Sequence, residues 1–390
     1  MKANGPLAAV LGAIFVSAVL VTAAERLHAQ ASSQGPAQSS APTAAPASPQ
    51  AATPGAPQTA EQKYKNIQVL KGIPADQVIP AMQFISASLG VECEFCHVAH
   101  AQEKDDKKPK LAARKMITMM MQIDADNFKG EREVTCYTCH RGAVHPERTP
   151  ILSAENAPAP QPHVEEDGTP AALPSAQTIL DKYLAAVGGA DAVQSVRTRV
   201  QTGNIEAADK KFPIEVYSQA PNKRISTSHM TQNASVTAYN GETGWLSTPN
   251  GIREMSPAEQ LAASLDAQLY FPVWLPKAYQ EFEVKPGEEI DGQATYLVSA
   301  LGSNEVPLNL YFDRQSGLLV RLIRYAETPL GRNPTQIDYA DFRAVDGLKI
   351  PYRWTLTRPN GRFTIQIDDV KQNVPVDEKL FVMPGGQPAR

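Results

Sequence analysis

The stretches "VECEFCHVAH" (residues 91–100) and "EVTCYTCHRG" (residues 133–142) each place two cysteines three apart with a histidine directly after the second. Residues at i, i+3 and i+4 project from one face of a short helix, so both thiols and the imidazole of each stretch are expected to point into one space. Cys93, Cys96 and His97 form the first set, and Cys136, Cys139 and His140 the second. The chain has 4 cysteines, all inside these two stretches, so none is left for a conventional disulfide framework.

That arrangement suits a haem. The thiols add to the two vinyl groups as thioethers, and the histidine held beneath the macrocycle ligates the iron from its proximal side; Cys-x-x-Cys-His is the signature of c-type attachment. A thioredoxin-like redox pair has no need of the histidine, and a zinc site of four thiolates does not explain a histidine in the same place twice. Two occurrences predict two covalently bound haem c groups. The second axial position of each iron separates electron transfer from small-molecule chemistry. Met82 and Met116 precede the two Cys pairs at short range on helical segments and are the expected distal ligands. Methionine opposite histidine favours the ferrous state. His100 and His145 compete, but sit too close behind a proximal histidine to reach the opposite face easily. Met119, Met120 and Met121 read as core filling, because three consecutive residues cannot all face one iron.

At 390 residues the chain is too long for one ordinary core, and 32 prolines point to linkers between folded parts. Hydrophobic residues at 42% and charged residues at 20% permit those folded parts, and a net charge of −4 implies no basic surface for nucleic acid. Residues 1–31 contain an uncharged apolar run, 7–24, followed by an Ala-x-Ala cleavage pattern. They are expected to be an export signal or an uncleaved membrane tether, with the body of the protein in the periplasm or otherwise outside the cytoplasm. Residues 32–60 are an uncharged Ala/Pro-rich linker. Residues 61–150 hold both Cys pairs, 151–174 form a second linker, and 175–390 form a domain of different character.

Within 61–150, "ADQVIPAMQFISASLG" (75–90) has helical spacing through Val78, Met82, Ile85 and Leu89, with Gly90 as its stop. "KLAARKMITMMMQIDADNF" (110–128) predicts a second helix with Leu111, Met116, Met120 and Ile123 inward. From 175 one helix, with Ile179, Leu180, Tyr183, Leu184 and Val187 on its apolar face, leads into period-two strands such as "PLNLYF" (307–312), "KIPYRWTLTR" and "RFTIQIDDV". "SPAEQLAASLDAQ" announces an internal helix, with Ser256 and Glu259 as a capping box and Pro257 at its first position. Trp245, Trp274 and Trp354 read as core. The fold class is therefore multidomain α+β: a small, mainly α dihaem domain, then a curved antiparallel β-sheet, or half-barrel, with a few helices on one face.

"NIQVLKGIPADQVIPAMQFISASLGVECEFCHVAH", "AARKMITMMMQIDADNF" and "VTCYTCHRG" together resemble the cytochrome c subunit of photosynthetic reaction centres, over roughly residues 64–145. The resemblance implies haem units built from a methionine-bearing helix, a turn and a Cys-pair helix, with Met82 paired to His97 and Met116 to His140. Members serving reaction centres carry two such halves, whereas this chain carries one. Residues 175–385, from "ILDKYLAAVGGADAV" through "YFDRQSGLLVRL" to "VPVDEKLF", resemble LolA-like half-barrels, which implies a concave face able to cradle an acyl chain.

The expected function is that of an exported dihaem cytochrome, not an enzyme, passing single electrons between a redox donor protein and an acceptor protein. The β domain is expected to dock partners or bind a lipid or other apolar ligand. The rivals are a haem-based sensor or peroxidase-like enzyme, and a periplasmic lipid or lipoprotein binder with accessory haems. Arg114, Lys115 and Arg141 flank the motifs and are candidates to face haem propionates.

Overall fold

The computed structural model describes residues 58–147 and 173–385, apart from 208–209, 231–233, 249–250, 303–305 and 360. The apolar run 7–24 lies outside the described residues, as do almost all of both linkers. Among the described residues no helix is long and apolar enough to cross a membrane.

The first part is helical. A single turn, α1 (Ala60–Lys63), precedes α2 (Val78–Leu89), α3 (Cys93–Cys96), α4 (Lys108–Asn127) and α5 (Cys136–His140). Helix α2 ends where its sequence says it should: Gly90 takes the left-handed conformation (φ 67°), and its amide donates to the carbonyl of Ser86. A side chain at Gly90 would also collide with the backbone, because a Cβ there would stand 2.3 Å from the carbonyl oxygen of Gly142. The amide of Gly142 donates to Ser88 at 2.9 Å, so the end of α2 and the chain leaving α5 are stitched together.

The second part opens with α6 (Ala176–Val187), capped by the Ser175 hydroxyl, which accepts from the amide of Thr178 at 3.2 Å, and α7 (Ala190–Ser195). Strands β1 (Thr198–Ala207), β2 (Lys210–Gln219), β3 (Lys223–Ser228), β4 (Ser235–Tyr239), β5 (Gly244–Thr248) and β6 (Gly251–Glu254) then form one meander. Helices α8 (Pro257–Asp266) and α9 (Phe271–Ala278) cross to a second meander: β7 (Glu281–Pro286), β8 (Thr295–Leu301), β9 (Leu308–Asp313), β10 (Leu319–Thr328), β11 (Gly331–Val345), β12 (Leu348–Arg358) and β13 (Gly361–Gln372). The meanders join where β1 pairs with β13, giving one antiparallel 13-stranded sheet with β6 and β7 at its edges.

The sheet is strongly curved. Helix α8 touches β4, β5 and β10. In a flat sheet, strands seven places apart would lie about 34 Å away from one another at ~4.8 Å per strand, and a helix of this length spans only about 15 Å. The predicted capping box at α8 is present: Ser256 N–H donates to the Glu259 carboxylate at 2.8 Å, and Glu259 N–H donates back to the Ser256 hydroxyl at 3.4 Å. The main core fills the concave side, where Ile179, Leu180, Tyr183 and Val187 of α6 and Leu275 of α9 meet Val216, Leu310, Phe312, Ile337 and Ile367 of the sheet. Trp245 is buried with its indole N–H donating to Phe381 O at 3.2 Å, and Trp274 meets Tyr279 edge-on.

The helical part is packed onto the sheet. Its small core of Leu70, Ala81, Phe84, Ile85, Ile117 and Met120 is completed by Leu330, which lies between β10 and β11 and is fully buried. Asn333 donates to Pro80 O at 3.0 Å, and Arg132 bonds both the Glu327 carboxylate, at 2.6 Å, and the carbonyl of Thr328. Two expectations for α4 require correction. Leu111 and Met116 are exposed rather than inward, and Lys110, Ile117, Met120 and Asp124 are the residues buried. Period counting identified apolar positions, but α4 carries two apolar stripes and the polypeptide covers only one. Likewise only Met120 fills the core, while Met119 and Met121 are exposed.

Candidate functional site

Helix α5 carries Cys136, Cys139 and His140 as the sequence predicts. In the first motif α3 ends at Cys96, and His97 is the extended C-cap (φ −113°, ψ 148°) rather than part of the helix. The turn is still closed, because the amide of His97 donates to Cys93 O at 2.9 Å. All four cysteines are free, with Cys93 and Cys139 exposed and Cys96 and Cys136 half-buried. Burial pushes the Cys96 and Cys136 thiols up, which keeps them protonated at neutral pH. Among the described residues no group of three His, Cys, Asp or Glu converges on a metal-binding point.

The two histidines share one feature. His97 Nδ1 lies 3.0 Å from the carbonyl oxygen of Gln102, and His140 Nδ1 lies 3.0 Å from that of Ala143. A carbonyl only accepts, so each Nδ1 must carry the proton and donate. The Nε2 lone pair of each ring is thereby left free, with the ring orientation fixed. Sequence reading missed these anchors because a backbone carbonyl leaves no residue-type signal.

The first anchor is itself braced. The Lys110 ammonium, almost wholly buried, donates to Gln102 O at 2.7 Å and Lys104 O at 2.8 Å and pairs with Asp105 at 3.1 Å. Arg114 bonds Asp105 at 3.0 Å and Asn66 O at 3.1 Å, so this propionate candidate is already engaged. Hydrogen bonds from Arg114 and Lys110 hold the Asp105 carboxyl down at about 2.

The surroundings fit a large apolar group. Phe95, Leu111, Met116, Met119, Phe128 and Tyr137 are all between 38% and 55% exposed around the two motifs. Such a concentration of exposed apolar side chains marks a surface meant to be covered. A cavity of about 1120 Å³ between α5 and the sheet is a different environment: Arg132, Glu133, Glu327 and Arg332 line it beside Phe84 and Tyr137, and none of the motif cysteines or histidines does. Met82 is half-buried against the helical core, and His100 and His145 are exposed.

Residues 23–211 match the family described as photosynthetic reaction centre cytochrome c subunit. The match to the reaction-centre cytochrome family takes in both Cys-pair motifs and supports covalently bound haem c as the cofactor class. Cytochrome c-554 of Chloroflexus aurantiacus is 35% identical over 85 residues, covering 20% of this chain and 20% of that protein. The photosynthetic reaction center cytochrome c subunit of Thermochromatium tepidum is 32% identical over 87 residues, covering 21% of this chain and 22% of that protein. The chain therefore spans about a fifth of the length of these cytochrome relatives. A LolA superfamily protein from Nitrosomonas europaea matches 54% of this chain and 99% of its own, at 15% identity and a TM-score of 0.39.

The sheet holds a separate cavity of about 450 Å³ on its concave side, within the size range of small-molecule sites. Strand-to-strand register brings residues remote in sequence to its wall. Arg199 of β1 stands opposite Ser218 of β2, which stands opposite Arg224 of β3. Directly opposed residues of antiparallel strands share a face. None of these was legible as a site residue in the linear sequence.

Proposed function

We propose that the protein is an exported dihaem c-type cytochrome that relays single electrons between a donor and an acceptor protein and is not an enzyme. Cys93 and Cys96 would hold one haem and Cys136 and Cys139 the other, with His97 and His140 as proximal ligands and Met82 and Met116 as distal ones. The observation that carries this reading is the pair of matching Nδ1-to-carbonyl anchors, which pre-set both Nε2 atoms for iron. Each haem supplies reversible one-electron chemistry of its iron when bound.

The pairing of Met82 with His97 and of Met116 with His140 follows the family resemblance. The exposed side of α4 that carries Met116 is then the side a macrocycle covers.

The test is to produce the full chain in a host able to attach haem, then measure its mass and its pyridine haemochrome absorbance. Two covalent haems per chain are expected. A colourless protein, or one with the mass of the bare polypeptide, refutes the assignment. For the C-terminal part, the concave cavity supports a compartment for an apolar or lipid ligand, so that the two halves combine a redox centre with a binding domain. The apolar run at 7–24 fits an export signal or a periplasm-facing tether, to be distinguished by N-terminal sequencing of the mature protein.

A further inference from the structure

The lining of the concave cavity mixes charge with apolar surface. Arg199 of β1, Arg224 of β3 and Arg358 at the end of β12 reach it, while Leu322, Ile337, Trp354, Phe363 and Ile365 give it an apolar wall. Cations outnumber anions on the wall: Arg199, Arg224, Lys349 and Arg358 face the same space as a single carboxylate, Asp266.

That carboxylate is already spoken for. Arg324, which is 5% exposed, forks onto Asp266 from behind the wall, with Nη2 donating to Oδ2 at 3.0 Å and Nη1 to Oδ1, and also reaches Ala262 O near the end of α8 at 3.3 Å. Arg224 and Arg358 flank this ion pair, and among the described residues neither guanidinium has a carboxylate hydrogen-bonded to it. Burial pulls both below the usual guanidinium range. Arg199 is held down to about 10 for the same reason; its Nη2 donates to Gln372 at 3.1 Å, while its Nε is inaccessible and without a partner. Arg224 is half-buried and Arg358 is exposed at the cavity mouth; cationic groups drawn partly out of water without counter-charges are costly, and an anion entering among them relieves that cost.

We propose that this cavity binds an anionic amphiphile, with the acidic headgroup held by Arg224 and Arg358 and a single acyl chain lying along the Leu322, Ile337, Trp354 and Ile365 wall. Arg199 lies two strand spacings from Arg224 on the same face, about 10 Å away, and extends the basic floor under the headgroup. A carboxylate from a free fatty acid and a phosphate from a lysolipid present the same chemistry to these guanidinium groups. The proposal deepens the reading of the β domain as a ligand-binding compartment and does not depend on the haems.

The experiment is displacement of a fluorescent fatty-acid probe from the full holoprotein by palmitate, lysophosphatidic acid and palmityl alcohol, the last having the chain without the charge. Charge-assisted hydrogen bonds predict that at least one acid binds about tenfold or more tighter than the alcohol. A preference for palmitate identifies the free acid as the source, and a preference for lysophosphatidic acid identifies the lipid. The double variant Arg224→Gln, Arg358→Gln should bind acid and alcohol alike, and Arg224→Lys should keep part of the preference. A thermal melt of each variant confirms that the domain is folded. If acid and alcohol bind the wild-type protein equally, the headgroup site is wrong while the ligand-binding compartment stands. If none of the three displaces the probe, both are wrong.

Discussion

The ring of Phe84 in α2 rests directly on the bare α-carbon of Gly331 at the start of β11, where a Cβ would come within 2.3 Å of the ring. This contact lies at the junction of the helical part and the sheet, next to the buried Leu330. Replacing Gly331 with alanine should cost about 1–3 kcal/mol through overpacking. The check is a thermal or denaturant unfolding series; an unchanged midpoint would show that Phe84 can move aside freely.

Met82→Ala and Met116→Ala should each abolish the near-infrared methionine-to-iron charge-transfer band of one haem and open that iron to carbon monoxide in the reduced protein. The double variant should lose the band altogether. If neither single change alters the spectrum, other residues occupy the distal positions.

Lys110 sets the two proposed haem sites apart. Its charge sits on the Gln102 carbonyl that anchors His97, whereas the Ala143 carbonyl that anchors His140 has no such partner among the described hydrogen bonds. Removing a positive charge beside an iron centre favours its oxidised form, so Lys110→Met should lower the midpoint potential of the first haem and leave the second nearly unmoved. Spectroelectrochemical titration reads both.

The Asp105 carboxyl gives the loop before α4 an acid limit. Its folded value, about 2, lies below the ordinary 3.8, so its contribution is complete above the ordinary value and is lost as pH falls through about 2. Protection factors of the amides in residues 102–107, corrected for the intrinsic pH dependence of exchange, should therefore fall across that interval, and Asp105→Asn should remove the fall.

Asp266→Asn strands the buried Arg324 guanidinium. Breaking a fully buried pair costs several kcal/mol. With the Asp266 side chain 32% exposed, screening reduces the expected loss to about 1–3 kcal/mol. Urea unfolding measures it, and a change indistinguishable from zero would mean that the neighbouring carbonyl of Ala262 suffices for Arg324.

Local signals carried much of this fold. Gly90 stops α2, Ser256 and Glu259 box the start of α8, and the alternation of Leu308, Leu310 and Phe312 gives β9, because each depends only on residues a few positions away. The same is true of both Cys-pair motifs. Helix α9 was not legible, since Pro272 and Pro276 within eight residues argue against a helix until tertiary packing of Leu275 decides otherwise. Leu330 in the helical core, the Arg199–Ser218–Arg224 row and the convergence on Asp266 were also hidden. Each is produced by strand register between distant segments, and no window of sequence contains both partners.

The position of Leu330 has a consequence for the order of biosynthesis. The small core beside the Cys pairs draws all its other members from the first third of the chain, yet is sealed by a residue near the far end of it. A chain made only as far as the Cys pairs therefore lacks the residue that completes this core, and that residue arrives only with the β10–β11 turn.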